Sequence, residues 1–387
     1  MRHLFVTQDY GPDLGGMARR HVEICRRLAP DSVTVSTVAA GDGGKFDRGE
    51  PYRIERQRFR FSQANRLGNR IRWARDLAAE APTFDIIHAG NIRASGYAAW
   101  WAARRAGIPY LVYVNGGDLL REKRKAKSLT RRLGARRIFS AAAGIVATSR
   151  WVADLSAELM GVVGVRKPPP IKAFDLGTDP ACFHPGAGSG SLRSRWKIGV
   201  APLIITVARL VPHKGQDVGI RALAKLQPEF PEIRYVLVGE GPEGRRLRDL
   251  AVSLGVSDRV VFAGVLGDEE LPEAYSTATV YLGASRVERD LDVEGFGISF
   301  IEAAACALPV VAGDSGGIRS AVRDGETGIL VPPSDVDAIA AALAALLRDE
   351  GLRLRMGGAG RLAVEQHYNW ERVARDTREF AREVVQA

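Results

Sequence analysis

Short apolar runs alternate with helical stretches along these 387 residues in two successive series, separated by a single proline- and glycine-rich break. HLFVT opens the first series, followed by a glycine loop and a helical stretch from Gly16 to Leu28; SVTVSTV, DIIHAG, YLVYVN and GIVATS follow as candidate strands with helical segments between them. Runs that are apolar at nearly every position, rather than at every second one, fit strands covered on both faces of a parallel sheet. Residues 166–190 then break the pattern with Pro168-Pro169-Pro170, Pro180, Pro185 and the run GAGSGS. The alternation restarts at LIITVA and continues through RYVLVG, RVVFAG, ATVYLG, PVVAG and TGILV, and the stretch from 335 onward reads as helix alone. The expected fold class is therefore α/β, as two doubly wound domains with ligands at the carboxyl ends of their strands. The expected boundaries are residues 1–172, 173–369 and a final helix, 370–387, packing back on the first domain.

No run approaches the roughly 20 apolar residues that a bilayer span needs, and the first residues go straight into a strand without a signal-peptide pattern. Three scattered cysteines (Cys25, Cys182, Cys306) are not at metal-ligand spacing. Together these features predict a cytoplasmic protein without disulfides. The net charge of +10 is uneven: residues 1–190 carry 31 basic and 17 acidic side chains, leaving the remainder net negative. Nine bases and one acid fall within 121–137, REKRKAKSLTRRLGARR. A solvated helix face, an anionic membrane surface and a phosphorylated acceptor are all compatible with this. Nucleic acid is not expected, because no nucleic-acid motif or aromatic platform accompanies the bases. From 65 to 78, Leu67, Ile71, Ala74, Leu77 and Ala78 recur at helical spacing among four arginines; this is an amphipathic surface helix, or one lying on a membrane.

The candidate chemistry concentrates in the second series. Glu294 and Glu302 flank the turn Gly295-Phe296-Gly297-Ile298, and a buried strand and a second glycine turn, Gly316-Gly317, follow. Glycine turn, helix start, strand and glycine turn aim backbone N–H groups and two acids at one small volume, as a site for a sugar attached to phosphate requires. After LIITVA come Arg209 and Lys214, a fork-shaped and a point-like cation on one loop, which suit a diphosphate. The turn after RYVLVG, Gly239-Glu240-Gly241-Pro242-Glu243-Gly244, matches a dinucleotide fingerprint in spacing. Pro242 removes a donor and two glutamates would face a pyrophosphate, so a tight turn beside a ligand is the better reading. Asp290 and Asp292 form a D-x-D of the kind that holds a divalent metal on a nucleotide. The Arg209/Lys214 pair already offers that neutralisation, so no metal and no cofactor is expected. In the first series, Gly15 and Gly16 open a helix, behind Asp13 in the same loop. Asn115 and Asp118 follow the strand YLVYVN. His88 and His213 read as structural or peripheral.

In their order, these motifs resemble the retaining, nucleotide-sugar-dependent glycosyltransferases of the GT-B fold, the large group 1 family. The resemblance covers the Gly15-Gly16 loop, LGTDPACFHP, VARLVPHKGQD, LVGEGPE, and the block from LDVEGFG through AGDSGG and DGETGILVPP. RLVPHKGQD and LDVEGFG look most like the phosphatidylinositol-mannoside mannosyltransferase branch, which uses GDP-mannose. The resemblance implies two Rossmann-like domains facing across a cleft and a nucleotide-sugar donor. It also implies transfer of a hexose to a lipid-linked or phosphorylated acceptor at the cytoplasmic face of a membrane; a soluble UDP-sugar-dependent transferase acting on a small metabolite, polysaccharide or natural product is the alternative. By the same resemblance Arg209 and Lys214 hold the donor diphosphate, and Glu294 contacts the sugar ring. The backbone of Gly295, Phe296, Gly297 and Ile298 meets its hydroxyls and phosphate, Glu302 accepts from the ribose, and Gly239 lies on the donor side. Gly16 allows close approach of the phosphates, and Gly15, Asn115 and Asp118 belong to the sugar or acceptor side. Relatives commonly place a histidine where Asn115 stands; asparagine hydrogen-bonds but does not titrate.

Overall fold

The computed structural model describes residues 1–12, 15–288 and 292–387. Asp13 and Asp290, both singled out above, lie outside the described residues. The chain divides into two compact units, Met1–Leu176 with Trp370–Ala387, and Gly177–Asn369.

Among the described residues, the first unit holds seven parallel strands: β1 (Arg2–Val6), β2 (Ser32–Ala39), β3 (Arg53–Arg60), β4 (Ile86–Ala89), β5 (Tyr110–Val114), β6 (Gly144–Ala147) and β7 (Ile171–Ala173). Their order is β3-β2-β1-β4-β5-β6-β7. Every residue of β4, β5 and β6 is buried, which is why these strands read as unbroken apolar runs. β3, RIERQRFR, lies at the sheet edge with only Phe59 buried, so its charged residues hid it from a search for apolar runs. β7 is the opposite edge. A division at 172/173 would cut it, because Ala173 still pairs with Ala147; the first unit therefore continues to Leu176.

The final helix, Trp370–Gln386, belongs to the first unit and lies against the helix Gly16–Arg27. Arg27 Nε donates to Glu371 Oε1 at 2.7 Å, and Arg378 donates to the carbonyls of Leu28 and Ala29. Phe380 crosses Gly144 so closely that a Cβ there would meet its ring at 2.3 Å.

The second unit holds six parallel strands among the described residues: β8 (Leu203–Val207), β9 (Arg234–Val238), β10 (Val260–Gly264), β11 (Val280–Gly283), β12 (Val310–Gly313) and β13 (Gly328–Val331). All six coincide with apolar runs of the sequence. Their order is β10-β9-β8-β11-β12-β13, so chain order reverses at β8 as it reverses at β1 in the first unit. Loops leaving the carboxyl ends of strands beside such a reversal diverge to opposite faces and leave a crevice for a ligand.

Candidate active site

The loops after β8 and β11 carry the predicted catalytic residues of the second unit, and the reversal of strand order makes β8 and β11 neighbours. After β8 the chain passes Arg209, makes a one-turn 3-10 helix (Pro212–Lys214) and enters the helix Gln216–Leu226. Gly215 between them has φ +71°, and a Cβ there would lie 2.0 Å from the carbonyl oxygen of Ala284. This contact seats the Lys214 loop directly on the end of β11. Gln216 Nε2 donates to the Arg209 carbonyl at 3.0 Å and fixes its backbone, while Arg209 itself is exposed.

Lys214 Nζ donates to Glu294 Oε2, with both side chains largely covered. Burial alone would raise the Glu294 carboxyl, but the Lys214 ammonium beside it holds it below the usual carboxylate range. The Glu294 carbonyl accepts from Gly317 N at 2.9 Å, so the second glycine turn clamps the backbone that carries this acid. The Phe296 side chain is buried beside Tyr368 and anchors the turn from below. Gly297, with φ +99°, ends the turn, and the helix Ile298–Ala305 starts there.

Glu302 lies on that helix and is buried; its Oε2 accepts from Tyr275 OH at 2.8 Å. Tyr275 is itself fully buried between the rings of Phe183 and Tyr281. Gly239 follows β9 and approaches the start of the Arg209 loop, where a Cβ would lie 2.2 Å from the Ala208 carbonyl. Beside it opens a recess of about 430 Å³ lined by Leu210, Glu240, Arg248 and Phe262, with the Arg248 guanidinium 4.5 Å above the Phe262 ring.

One supporting residue, Arg286, gave no signal in the sequence. Arg286 N donates to the His213 carbonyl at 2.8 Å, and its guanidinium pairs with Asp217 at 3.0 Å, tying the segment after β11 to the segment after β8. Asp292, the described half of the D-x-D, forms a backbone bridge with Glu288. Among the described residues no group of three or more histidine, cysteine, aspartate or glutamate side chains comes together as a metal site.

In the first unit, Gly15 takes the N-cap position of the helix Gly16–Arg27 in the loop after β1, and Asn115 that of the helix Gly116–Lys125 at the end of β5. Asp118, in the first turn of the latter, pairs with Arg121. Asp9, just past β1, was not singled out in the sequence. Its Oδ2 accepts from Asn91 Nδ2 at 3.2 Å, and burial, reinforced by the Asp118 carboxylate, pushes its carboxyl up to about 6. His88 is wholly buried between His3 and Tyr113, a structural placement.

Two family profiles match the chain: glycosyl transferases group 1 over residues 193–363, and glycosyltransferase family 4 over residues 14–166. A GDP-mannose-dependent alpha-(1-6)-phosphatidylinositol monomannoside mannosyltransferase of Mycolicibacterium smegmatis is 37% identical over 270 residues, 69% of each chain. A D-inositol 3-phosphate glycosyltransferase of Acidothermus cellulolyticus is 32% identical over 369 residues, covering 91% of this chain and 77% of that one. Among solved structures, Anabaena HepE in complex with UDP and glucose superposes with a TM-score of 0.78, at 22% identity over 98% of both chains. At that identity the likeness carries the fold alone.

Proposed function

The chain belongs to the group 1 glycosyltransferases of GT-B fold and is a nucleotide-sugar-dependent hexosyltransferase; from that premise we propose that it moves mannose from GDP-mannose, with retention and without a metal, to a lipid-linked or phosphorylated acceptor. The observation that carries the reading is the Lys214–Glu294 pair at the β8/β11 reversal, with exposed Arg209 on the same loop as Lys214. Loss of a nucleoside diphosphate builds negative charge on phosphate and positive character on the sugar. Lys214 has three N–H donors, so it can keep Glu294 and still receive a diphosphate oxygen, while Arg209 closes on the diphosphate as a fork. These two cations supply the charge neutralisation for which other sites use a divalent ion.

Glu294, held ionised, faces the sugar and stabilises its oxocarbenium character. The bond between the anomeric carbon and the phosphate oxygen breaks, the acceptor oxygen bonds on the same face, and the acceptor proton passes to the departing phosphate. The backbone N–H groups of Gly295, Phe296, Gly297 and Ile298 meet sugar hydroxyls and phosphate, and Glu302 meets the ribose. The recess beside Gly239 is of a size and lining suited to the nucleobase. In the first unit, Gly15 and Gly16 permit close approach at a helix N-terminus, with Asn115 and Asp118 on the sugar or acceptor side.

The mannosyltransferase likeness supports a membrane-lipid acceptor and peripheral work at the cytoplasmic face. Among the described residues no helix is long and apolar enough to cross a membrane. The likeness to D-inositol 3-phosphate glycosyltransferases, over 91% of this chain, supports a second reading with a soluble phosphorylated acceptor. A thermal-shift and hydrolysis screen of GDP-mannose, UDP-glucose and UDP-N-acetylglucosamine, each with and without EDTA, tests donor and metal independence together. Stabilisation by a UDP-sugar alone would overturn the donor assignment, and loss of turnover with EDTA the metal independence. Incorporation of label into phosphatidylinositol mannosides or into D-inositol 3-phosphate then separates the two acceptor readings.

A further inference from the structure

Lys214 and Glu294 arrive on separate arms of the chain, one leaving β8 and the other leaving β11, and Arg286 touches both arms. Its guanidinium takes the Asp217 carboxylate as a fork, Nη1 donating to Oδ1 at 3.0 Å and Nη2 to Oδ2 at 3.4 Å. Asp217 stands three residues past Lys214, in the first turn of the helix Gln216–Leu226. The remaining donor, Arg286 Nε, reaches Glu288 Oε2 at 3.5 Å. Glu288 in turn exchanges two backbone hydrogen bonds with Asp292, at 3.0 and 3.2 Å, and Asp292 precedes Glu294 by two residues. One planar group is thus held by a carboxylate from each arm. The Arg286 and Asp217 side chains are each only 18% exposed, so salt screens this pair less than an ordinary surface ion pair.

The donors of a guanidinium lie in one rigid plane, so two carboxylates bound to it have a fixed separation, and so do the arms that carry them. Joining the arms does not by itself need this side chain. The backbone bond from Arg286 N to the His213 carbonyl and the seat of Gly215 on Ala284 already join them. Nor does the Asp217 charge depend on Arg286 alone, since Arg246 approaches its Oδ2 at 4.0 Å. What the fork adds is orientation of the segment that carries Lys214. We propose that Arg286 is a positioning residue for the transfer: gripping Asp217 and Glu288 together, it sets the reach of Lys214 Nζ to the Glu294 carboxylate and to the departing diphosphate. The inference rests on the transferase reading above, in which Arg286 acts only through Lys214.

The test is a double-mutant cycle on the full chain. R286M keeps most of the side-chain bulk and removes the fork. Its kcat is expected to fall by roughly tenfold to a hundredfold, the cost of a misplaced reacting group, with the donor KM within about threefold of wild type. R286K keeps the charge without the fork and recovers part of that loss. In a K214A background the same R286M changes kcat by less than about twofold, because the group it positions is gone. D217N frees only the Lys214 arm and shows the same pattern, so the proposal does not hang on the folding of R286M. A measurement without substrate runs beside the kinetics, a carbon-13 NMR titration of the Glu294 carboxyl, assigned with E294Q. Lys214 holds this carboxyl low, with His213 and Arg209 adding to the effect. In R286M its titration moves up toward the ordinary carboxylate range, as it does in K214A. Equal loss of kcat by R286M with and without Lys214 would make Arg286 a structural residue and overturn the proposal. Wild-type kcat in both R286M and D217N, or an unmoved Glu294 titration in R286M, would overturn it too. A wild-type protein that turns over no nucleotide sugar would instead sink the transferase reading, and the titration would still decide whether Arg286 sets the pair.

Discussion

Lys214 donates a hydrogen bond to the carboxylate of Glu294, and the contact closes 80 residues of chain onto the junction of the β8 and β11 loops. The pair is largely covered rather than solvated, and the Lys214 ammonium holds the Glu294 carboxyl below the usual carboxylate range. Under the proposed mechanism it is also the point where diphosphate and sugar meet.

Replacing Lys214 by alanine removes a donor from the leaving group and strands the carboxylate. Turnover is expected to fall by roughly 10²–10³, the usual effect of deleting one donor to a developing charge. The stranded acid costs about 1–3 kcal/mol of stability. The double variant K214A/E294Q recovers the stability and not the turnover. Single-turnover rates and unfolding midpoints check both halves; near-normal turnover in K214A would take Lys214 out of the leaving-group role. Because the Glu294 carboxyl is depressed in the folded protein, its stabilisation is present above the ordinary carboxylate range and is lost as pH falls through its folded value.

Asp9 has the opposite sign. Its carboxyl is raised to about 6, so the folded protein holds the proton more tightly than the unfolded chain does. Stability from this group falls as pH rises from about 4 to 6, by at most about 3 kcal/mol, and stays lower above that window. Asp9→Asn keeps an acceptor for Asn91 and escapes the penalty. The variant should melt several degrees higher than wild type at pH 7.5 and by less than half as much at pH 4.5; equal shifts at both would refute the burial account. A simultaneous loss of transfer would mark Asp9 as an acid kept for function at the expense of stability.

Most strands of both sheets were legible because they read as continuous apolar runs, including the edge strand β10, where only Val260 is buried. β3 was not, because charged residues occupy most of its positions. Lys214, Glu294 and Glu302 could be singled out as candidates because glycine turns fix their local setting over a few residues. Tyr275, Arg286 and Asp9 could not. Their significance comes from partners 27, 69 and 82 residues away, and only strand order brings those together. A lone tyrosine or arginine between apolar runs carries no spacing that marks it.

Tyr275 shows the consequence. It is fully buried, so it holds the Glu302 carboxylate without reaching a ligand itself. Tyr275→Phe removes a hydrogen bond to a charged group and should cost about 1.5–3 kcal/mol of stability. If Glu302 meets the donor ribose, the donor KM rises while kcat changes little, because ribose contacts are the same in ground and transition states. A drop in kcat at unchanged KM would instead place Glu302 in the chemical step.

Gly15 and Gly297 separate close packing from close approach of a ligand. At Gly297, φ is +99° and an added Cβ would meet the buried Phe300 ring at 2.3 Å, so Gly297→Ala should cost about 1–3 kcal/mol and distort the turn that follows Glu294. At Gly15 the backbone is extended, φ −67° and ψ 167°, and an added Cβ would meet nothing within 4 Å among the described residues. Gly15→Ala should therefore melt within about a degree or two of wild type, or slightly above it, since alanine narrows the unfolded ensemble. Any loss of transfer in that stable variant must come from something absent in the free protein that comes within reach of the new methyl group. A bound phosphate or acceptor at the helix N-terminus meets that description. If KM and kcat for both substrates are unchanged, Gly15 leaves the site and Gly16 alone remains as the close-approach glycine.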